Sequence, residues 1–336
     1  MRIQDAIATL LERTDLGPEA VESVFDAIMR GEATPAQIGG LLIGLRAKGE
    51  TVGEIVGAAR AMRAHAVALP AKTPDLVDTC GTGGDGSGTF NVSTAAALIA
   101  AGAGVPIAKH GNRAMSGKVG GADVLERLGV RIDLEPARVA ACIDTVGIGF
   151  LFAQKFHPAM RHAAGPRREL GVRTVFNLLG PLCNPAGARR QVIGTFAPEW
   201  LPVLASALRE LGSEHVLAVH GAGGLDEISL CGPTRVVELV RGKIREFEIQ
   251  PEDLGMPRCA LEDLQVEDGD ASASAIHAIL AGRTGPMADV AVVNAAAAIY
   301  VGGRASSIAA AVAVARASIA EGAAARKLLA WVEASR

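Results

Sequence analysis

The stretch that decides the fold is Gly81-Thr82-Gly83-Gly84-Asp85, which opens a glycine-rich segment, residues 81–88, called here the glycine loop. A short apolar run at residues 76–77 precedes it, and a helix of small residues is expected to begin after it, at Asn91-Val92-Ser93-Thr94. A strand, a glycine loop and a helix N-terminus in this order present backbone N–H groups and the positive end of a helix dipole to an anion. The segment therefore predicts a phosphate site, although it has neither the Walker nor the GxGxxG spacing. The alternative is an ordinary glycine-rich turn between a strand and a helix.

A second stretch, Lys109-His110-Gly111-Asn112-Arg113, follows another apolar run at residues 105–108. Lysine is a point charge and arginine a planar fork, and both neutralise pyrophosphate oxygens. With the glycine loop, these cations predict a pocket for a heavily phosphorylated small molecule. The alternative for Lys109 and Arg113 is a pair of solvated surface cations, and the residue pattern alone favours a packed His110.

A third stretch, Leu225-Asp226-Glu227, supplies adjacent carboxylates after a predicted strand at residues 216–220 and a glycine-rich turn. Open α/β sheets place functional groups after the carboxyl ends of their strands. Adjacent acids are common on any surface. Beside a polyphosphate, however, they predict an Mg²⁺ ion bridging carboxylate and pyrophosphate.

Apolar periodicity predicts the α/β class, with a small helical N-terminal domain and a larger α/β domain. Residues 1–70 are expected to be all-helical, because Thr34 with Gln37 and Thr51 with Glu54 have capping-box spacing and Pro35 suits the first helical position. From residue 74 to 336, short apolar runs alternate with helical patterns, which predicts a mostly parallel sheet covered by helices. The predicted strands are residues 76–77, 105–108, 148–152, 192–196 and 216–220, with an edge hairpin at 235–240 and 243–249. Helices are expected at 122–128 and 136–145, and alanine-rich helix from about 272 to the end.

Composition excludes several classes of protein. The apolar fraction is 49% but the aromatic fraction only 3%, and the net charge is −3, so attachment to nucleic acid or to an anionic membrane is not expected. The five cysteines show no CxxC spacing, which argues against a zinc site or a disulfide framework and favours reduced, mostly buried thiols. With no signal segment or spanning apolar run, we expect a cytoplasmic protein.

Two further groups of residues have an ordinary and a functional interpretation. Arg167, Arg168 and Arg173 are either a basic turn near a helix end or include an arginine that recognises a substrate carboxylate. His157 and His162 lack zinc-site spacing and are predicted to be packed or surface histidines. The chain shows no Ser-His-Asp grouping or nucleophile elbow, so covalent acyl chemistry is not expected.

These residues together resemble the anthranilate phosphoribosyltransferases of tryptophan biosynthesis, and the resemblance covers nearly the whole chain. It is carried by Asp78-Thr79-Cys80 with the glycine loop, by Asn91 to Thr94, by Lys109 to Arg113, by the run from Arg168 through Asn184-Pro185, and by Leu225-Asp226-Glu227. The most diagnostic part is Glu169-Leu170-Gly171-Val172-Arg173-Thr174-Val175-Phe176-Asn177-Leu178-Leu179-Gly180-Pro181-Leu182.

The resemblance implies a nucleoside phosphorylase/phosphoribosyltransferase-like fold with its site in the cleft between the two domains, residues 157–190 also contributing helices to the smaller one. It further implies a homodimer formed through the helical domain. The implied reaction moves phosphoribose from 5-phosphoribosyl 1-pyrophosphate to the amine of anthranilate, with two Mg²⁺ ions per site.

Site residues are carried over position by position. The implied donor contacts are Gly81, Gly84, Asp85, Thr89, Asn91, Val92, Ser93, Thr94, Lys109, His110, Gly111, Asn112, Arg113, Ala114, Met115, Ser116, Gly117 and Gly121. The implied anthranilate contacts are Gly81, Asn112 and Arg167, and the implied metal ligands are Ser93, Asp226 and Glu227.

No catalytic acid or base is implied, because the aromatic amine is neutral at pH 7. Displacement at the anomeric carbon develops positive charge on the ribose and negative charge on the departing pyrophosphate. Lys109 and the metal are expected to stabilise the transition state.

The chain departs from the family after Arg113. Gly117, Val119 and Gly121 stand where hydroxyl side chains are common. Each missing hydroxyl bond costs about 0.5–1.5 kcal/mol, so we expect weakened donor affinity, which comparison with Gly117→Ser tests. The departures leave two alternatives, a same-fold transferase or phosphorylase with another acceptor, and a non-catalytic paralogue that binds nucleic acid.

Overall fold

The structure is a computed structural model that describes residues 1–113 and 120–336. The expected donor contacts Ala114, Met115, Ser116 and Gly117, and the substituted position Val119, lie outside the described residues.

Four helices form the N-terminal part, as the capping signals predict: α1 (Ile3–Leu11), α2 (Pro18–Met29), α3 (Pro35–Lys48) and α4 (Val52–Ala64). Both capping boxes are present, at Thr34 with Gln37 and at Thr51 with Glu54, and Pro35 occupies the first turn of α3. Phe25 and Leu42 are fully buried in the core that these helices share with later segments of the chain.

Within residues 1–113 and 120–336, seven strands form one sheet in the order β3-β2-β1-β4-β5-β6-β7. They are β1 (Val77–Asp78), β2 (Ile107–Gly111), β3 (Ile148–Phe152), β4 (Arg190–Gly194), β5 (His215–Gly221), β6 (Thr234–Val240) and β7 (Lys243–Ile249). The first five are parallel and β6 and β7 are an antiparallel edge hairpin, so the predicted sheet is confirmed.

Two predicted boundaries were wrong. Lys109 to Gly111 lie inside β2 and pair with β3, instead of following the strand. Strand β4 runs from Arg190 to Gly194, two residues earlier at both ends than predicted. The N–H of Thr195 still donates to Val219 on β5, but the N–H of Phe196 donates to Thr82 Oγ1 and no longer to a strand.

Helices cover both faces of the sheet. They are α5 (Val92–Gly102), α6 (Gly121–Arg127), α7 (Pro136–Val146), α8 (Ala153–Phe156), α9 (Arg161–Leu170), α10 (Phe176–Leu182), α11 (Trp200–Glu210), α12 (Gly269–Leu280), α13 (Pro286–Val301), α14 (Ile308–Ala320) and α15 (Ala323–Ala334). Short 3-10 helices lie at Pro158–Met160, Pro251–Leu254 and Leu261–Leu264.

Alternation along β5 shows the two faces. Leu217 and Val219 point into the core that holds α5 and α13, whereas Val216 points into the core shared with the N-terminal helices. The alanine bias is used between α5 and its neighbours, where small residues allow close approach. A Cβ on Gly102, for example, would lie 2.3 Å from the Oγ of Ser318.

The direction of chain progression reverses beside β1. The chain moves from β1 outward through β2 to β3, then returns to lay β4 on the other side of β1. The crevice outside the carboxyl ends of β1 and β4 is therefore the expected ligand site, as in other open α/β sheets. The glycine loop follows β1 directly.

The cysteines differ from the expectation of mostly buried thiols. Cys142 and Cys183 are buried, whereas Cys80, Cys231 and Cys259 are partly exposed.

Among the described residues, no single helix has the length and apolar character needed to cross a membrane. Helices α14 and α15, bent by 63° relative to each other, satisfy those criteria only as a pair.

Candidate active site

The glycine loop is tied to the ends of two other strands. The N–H of Thr82 donates to the carbonyl of Gly194 at 2.9 Å, and the N–H of Gly83 donates to Asp226 Oδ2 at 2.9 Å. A Cβ on Gly81 would lie 2.8 Å from Asp226 Oδ2, so a side chain there would have to displace the Asp226 carboxylate. Gly83 and Gly84 have φ of 64° and 75°, a region that favours glycine. These bonds hold the start of the loop against the end of β4 and the Asp226 carboxylate.

The N-terminus of α5 closes one side of the crevice. Asn91 caps it, because its Oδ1 accepts from the N–H of Thr94 at 3.0 Å, and the N–H of Asn91 donates to Ser272 Oγ. Val92 is buried in the core, so only its backbone is free to meet a ligand. Thr94 Oγ1 is buried without a hydrogen-bond partner among the described residues.

Lys109 lies inside the site and is not a surface cation. It is 3% exposed, and its Nζ donates to Ser93 Oγ at 2.9 Å and to the carbonyl of Thr79 at 3.4 Å. Burial lowers the pKa of Lys109, and nearby acidic groups, Cys80 and Asp78 foremost, oppose that effect. The alternative of a solvated surface cation therefore does not hold for Lys109, and its predicted contact with pyrophosphate stays a prediction.

The carboxyl groups of Asp85, Asp226 and Glu227 lie close together in the site. Burial, with the charge of Asp85 next in size, raises the pKa of Asp226. Burial and then the charge of Asp226 raise the pKa of Glu227 well above its usual value. Glu227 also lines a small cavity with Gly81 and Ser93. Carboxylates crowded in this way are stabilised by a hard divalent cation, and oxygen donors of this kind fit Mg²⁺.

Asp85 had been expected as a donor contact only, and sequence reasoning missed its place in this acidic group. The signal available was its position at the end of the Gly-Gly-Asp run. A one-dimensional sequence does not show that the loop folds back toward residue 226.

Asp78, Cys80 and His110 also bring together atoms of the kind that bind metals, but Asp78 has a structural role here. Atoms of Asp78, Cys80 and His110 lie within 4.8 Å of one another. Both oxygens of Asp78 are engaged, however, by the N–H of His110 at 3.0 Å and the Nδ2 of Asn184 at 2.7 Å. These bonds join β1, β2 and the segment after α10, so Asp78 holds together the strands that carry the glycine loop and Lys109.

Arg113 has acidic partners of its own. Its guanidinium pairs with Asp123 at 2.8 Å and with Glu126 at 2.6 Å, both on α6. Its charge is therefore already compensated, and its predicted contact with pyrophosphate stays a prediction.

Arg167 has the opposite character. It is partly buried on α9, its guanidinium lies 5.0 Å from the ring centre of Phe176, and it forms no ion pair with any described residue. Burial lowers the pKa of Arg167. A guanidinium withdrawn from water without an acidic partner is suited to bind a carboxylate from outside the chain.

Two histidines lie side by side between the sheet and the α9–α10 segment. The rings of His110 and His157 are 5.1 Å apart, and the Nε2 of each is buried without a partner among the described residues. Burial lowers the pKa of His110 to about 3 and of His157 to about 4, so both are neutral near pH 7. The prediction of packed residues was right for both, but their free nitrogen atoms were missed. His157 follows the end of β3, the kind of position that had drawn attention to Asp226. The third histidine of the prediction, His162, is partly exposed and packs over Gly31.

The remaining expected residues lie around this frame. Thr89 pairs with Gln265 in an isolated bridge, and Gly111 lies at the end of β2, where a Cβ would clash with Phe150. Asn112 follows β2, with its Oδ1 accepting from the N–H of Arg113, and Gly121 begins α6 near Lys109.

Comparison with known proteins matches this arrangement along the whole chain. Residues 4–66 match the family model described as "Glycosyl transferase family, helical bundle domain", and residues 73–325 match "Glycosyl transferase family, a/b domain". The anthranilate phosphoribosyltransferase of Thioalkalivibrio sulfidiphilus is 54% identical over 98% of this chain and 97% of its own length. That of Methylococcus capsulatus is 50% identical over 100% and 98%.

Solved structures agree. The anthranilate phosphoribosyltransferase of Thermus thermophilus has a TM-score of 0.94 and 46% identity, covering 99% of both chains. The Saccharomyces cerevisiae enzyme in complex with PRPP and Mg has a TM-score of 0.91 and 27% identity, covering 99% of this chain and 97% of that one.

Proposed function

The chain belongs to the anthranilate phosphoribosyltransferase family, and we propose that it transfers phosphoribose from 5-phosphoribosyl 1-pyrophosphate to the amine of anthranilate, giving N-(5-phosphoribosyl)anthranilate and pyrophosphate. This is the second step of tryptophan biosynthesis. The observation that carries the proposal is the meeting of Lys109, the acidic group of Asp85, Asp226 and Glu227, and the glycine loop at the β1/β4 crevice.

The donor occupies the crevice between the glycine loop and α5 in this proposal. Its phosphates lie against the loop backbone and the N-terminus of α5, where N–H groups and the helix dipole favour negative charge. Lys109, already hydrogen-bonded to Ser93, stabilises the charge that grows on the departing pyrophosphate. Fixed groups do this better than water, because they need no reorganisation as the bond breaks.

Asp226, Glu227 and Ser93 are proposed to hold the metal, with two Mg²⁺ ions per site. When bound, Mg²⁺ supplies electrostatic stabilisation of the pyrophosphate oxygens. Binding a cation also relieves the repulsion between these carboxylates, since the charge of Asp85 raises the pKa of Asp226 and the charge of Asp226 raises the pKa of Glu227.

Anthranilate is proposed to lie between β2 and α9. Arg167 binds its carboxylate through the unpaired guanidinium, and Asn112 and Gly81 contact it from the β2 and β1 ends. Positioning of the amine against the anomeric carbon supplies most of what remains, because orientation of two reactants contributes on the order of 7–11 kcal/mol. No strong base is required, since the amine carries a free lone pair at pH 7.

The wider organisation is proposed as follows. Residues 1–70, with helices from about 157–190, form the helical domain, and residues 74–336 form the α/β domain. The exposed Leu11 and Ile43 on α1 and α3 support a homodimer formed through the helical domain, which light scattering coupled to size exclusion tests. A cytoplasmic location is part of the same proposal.

The test follows the fluorescence of anthranilate as it is consumed with the donor, with and without Mg²⁺. An Asp226→Asn/Glu227→Gln double variant is compared with a Glu210→Gln/Glu246→Gln control, which removes two exposed acids outside the site. We expect Mg²⁺-dependent turnover in the wild type and the control, and its collapse in the site variant. A folded wild type without turnover, or a site variant as active as the control, would contradict the proposal.

A further inference from the structure

One contact joins the segment between α9 and α10 to the glycine loop. Nη2 of Arg173 donates to the carbonyl of Gly84, and the guanidinium lies 4.1 Å from the ring centre of Phe196. Arg173 lies three residues beyond the end of α9, the helix that carries Arg167. Gly84 belongs to the loop proposed to bind the donor phosphates. The contact therefore spans the two halves of the site.

Phe196 completes a closed set of contacts between Arg173 and the glycine loop, called here the contact ring. Its own N–H donates to Thr82 Oγ1 at 3.1 Å, so the aromatic ring that supports Arg173 is anchored to the same loop. The guanidinium is thus held between Gly84 and Phe196, and both are connected through Thr82. A planar, charged fork can donate and stack at once, which lysine does less well.

The other supports of the loop come from the α/β part of the chain. Asp226 accepts from Gly83, Gly194 accepts from Thr82, and Gln265 Nε2 donates to the carbonyl of Ser87 at 2.8 Å. These bonds hold the two ends of the loop. The carbonyl of Gly84 lies between them, at a backbone of positive φ that has no side chain to restrain it.

We infer that Arg173 is a positioning residue that sets the shape of the glycine loop from the acceptor side, so that donor binding depends on the α9–α10 segment. The inference rests on the proposed function, because it takes the loop as the donor site. Arg173 acts through Gly84 and Phe196, and contact with either substrate is not required.

The test measures donor affinity and both Michaelis constants in Arg173→Met, Phe196→Leu and the double variant. Arg173 is exposed, so its replacement leaves the core intact, and Arg173→Lys separates charge from the planar fork. Arg161→Met, an exposed arginine at the start of α9, is the control. We expect the KM and calorimetric Kd for the donor to rise about tenfold in Arg173→Met, with the KM for anthranilate within twofold. The double variant should have the same Kd for the donor as Arg173→Met, because both changes break the same contact ring.

Three results would overturn the inference. They are unchanged donor affinity in Arg173→Met, a rise in the KM for anthranilate alone, which would make Arg173 an acceptor ligand, and single-variant effects that multiply. A wild type that binds donor but leaves anthranilate untouched would overturn the proposed reaction and leave the donor Kd as the readout for Arg173. A wild type that binds no donor would overturn both.

Discussion

Gly194 and Asp226 meet backbone to backbone: a Cβ on Gly194 would lie 1.4 Å from the carbonyl oxygen of Asp226. Gly194 is the last residue of β4, and Asp226 follows β5 on the next strand of the sheet. The missing side chain lets the acidic segment cross the end of β4 and reach the glycine loop after β1. The site therefore depends on a residue that has no side chain to contribute.

Gly194→Ala should abolish the transfer reaction and lower stability, because the obstacle is backbone that cannot rotate away. Moving the backbone of Gly194 away from Asp226 would also strain the hydrogen bond from the N–H of Thr82 to the Gly194 carbonyl. Activity and thermal unfolding measure both effects. Gly165→Ala on α9 is the control, since no atom beyond its chain neighbours and its own helix backbone lies within 4 Å of its Cβ position, and helix propensity predicts a gain of up to about 1 kcal/mol. Equal behaviour of the two variants would refute the steric argument.

Gly121→Ser should tighten donor binding. A Cβ at residue 121 would lie 3.9 Å from Lys109 Cε and 4.0 Å from Thr94 Oγ1, which is ordinary contact, and Thr94 Oγ1 has no partner among the described residues. One hydrogen bond from the serine hydroxyl to the donor contributes about 0.5–1.5 kcal/mol, which is roughly 2- to 12-fold in the Kd for the donor. Gly121→Ala fills the same space without the hydroxyl and should leave the affinity near that of the wild type. A serine variant no tighter than the alanine variant would show that this hydroxyl is not missed.

Stabilisation by Mg²⁺ should grow with pH. Burial raises the folded-state pKa of Asp226 to about 7, from an unfolded value of about 4. Between those values the folded protein holds protons that the unfolded chain has released, so the metal-free free energy of unfolding falls as pH rises. Mg²⁺ binds the deprotonated form and removes that loss. The shift of Tm on adding Mg²⁺ should therefore be larger at pH 8 than at pH 5.

The Asp226→Asn/Glu227→Gln variant is the control for this experiment, and its Tm should respond little to Mg²⁺ at either pH. His110 and His157 titrate in the opposite sense, because their lowered pKa values make stability fall as pH drops below about 6.5. Their contribution is common to both proteins and cancels in the comparison. An Mg²⁺ effect independent of pH in the wild type would count against the acidic group as the metal site.

Arg63 should contribute more to the free energy of unfolding than an ordinary surface arginine does. It lies near the end of α4 and donates to the carbonyls of Leu182 at 2.7 Å and Leu211 at 3.4 Å, at the C-terminal ends of α10 and α11. Burial lowers its pKa, and the two helix ends supply the compensating negative dipoles. Arg63→Met should lower the free energy of unfolding by about 2–3 kcal/mol, measured by denaturant titration. Arg60→Met is the control. The Arg60 guanidinium is exposed and forms a long ion pair with Glu22, at 3.9 Å, so its loss should change the free energy of unfolding by less than about 0.5 kcal/mol. Equal losses would contradict the capping role.

Much of the fold follows from local chemistry. The capping boxes at Thr34 and Thr51, the strand at Ile148–Phe152 and the edge hairpin could be predicted because hydrophobic period and cap residues act within a few positions. The glycine loop and the acids at Asp226 and Glu227 could be predicted for the same reason, since loops after strands of an α/β sheet carry function.

Long-range contacts are what local patterns leave open. The burial of Lys109 inside β2, the approach of Asp85 to Asp226 and the pairing of Arg113 with α6 depend on which strands become neighbours. The same is true of the unpaired guanidinium of Arg167 and of the ring formed by Arg173, Gly84 and Phe196. Residue types and spacing by themselves determined the α/β class and the phosphate and acidic motifs. Tertiary structure alone decided which charges are compensated and which are not, because burial, hydrogen bonds and Coulomb interactions act through space between residues that are distant in the chain, such as Gly83 and Asp226, which are 143 positions apart.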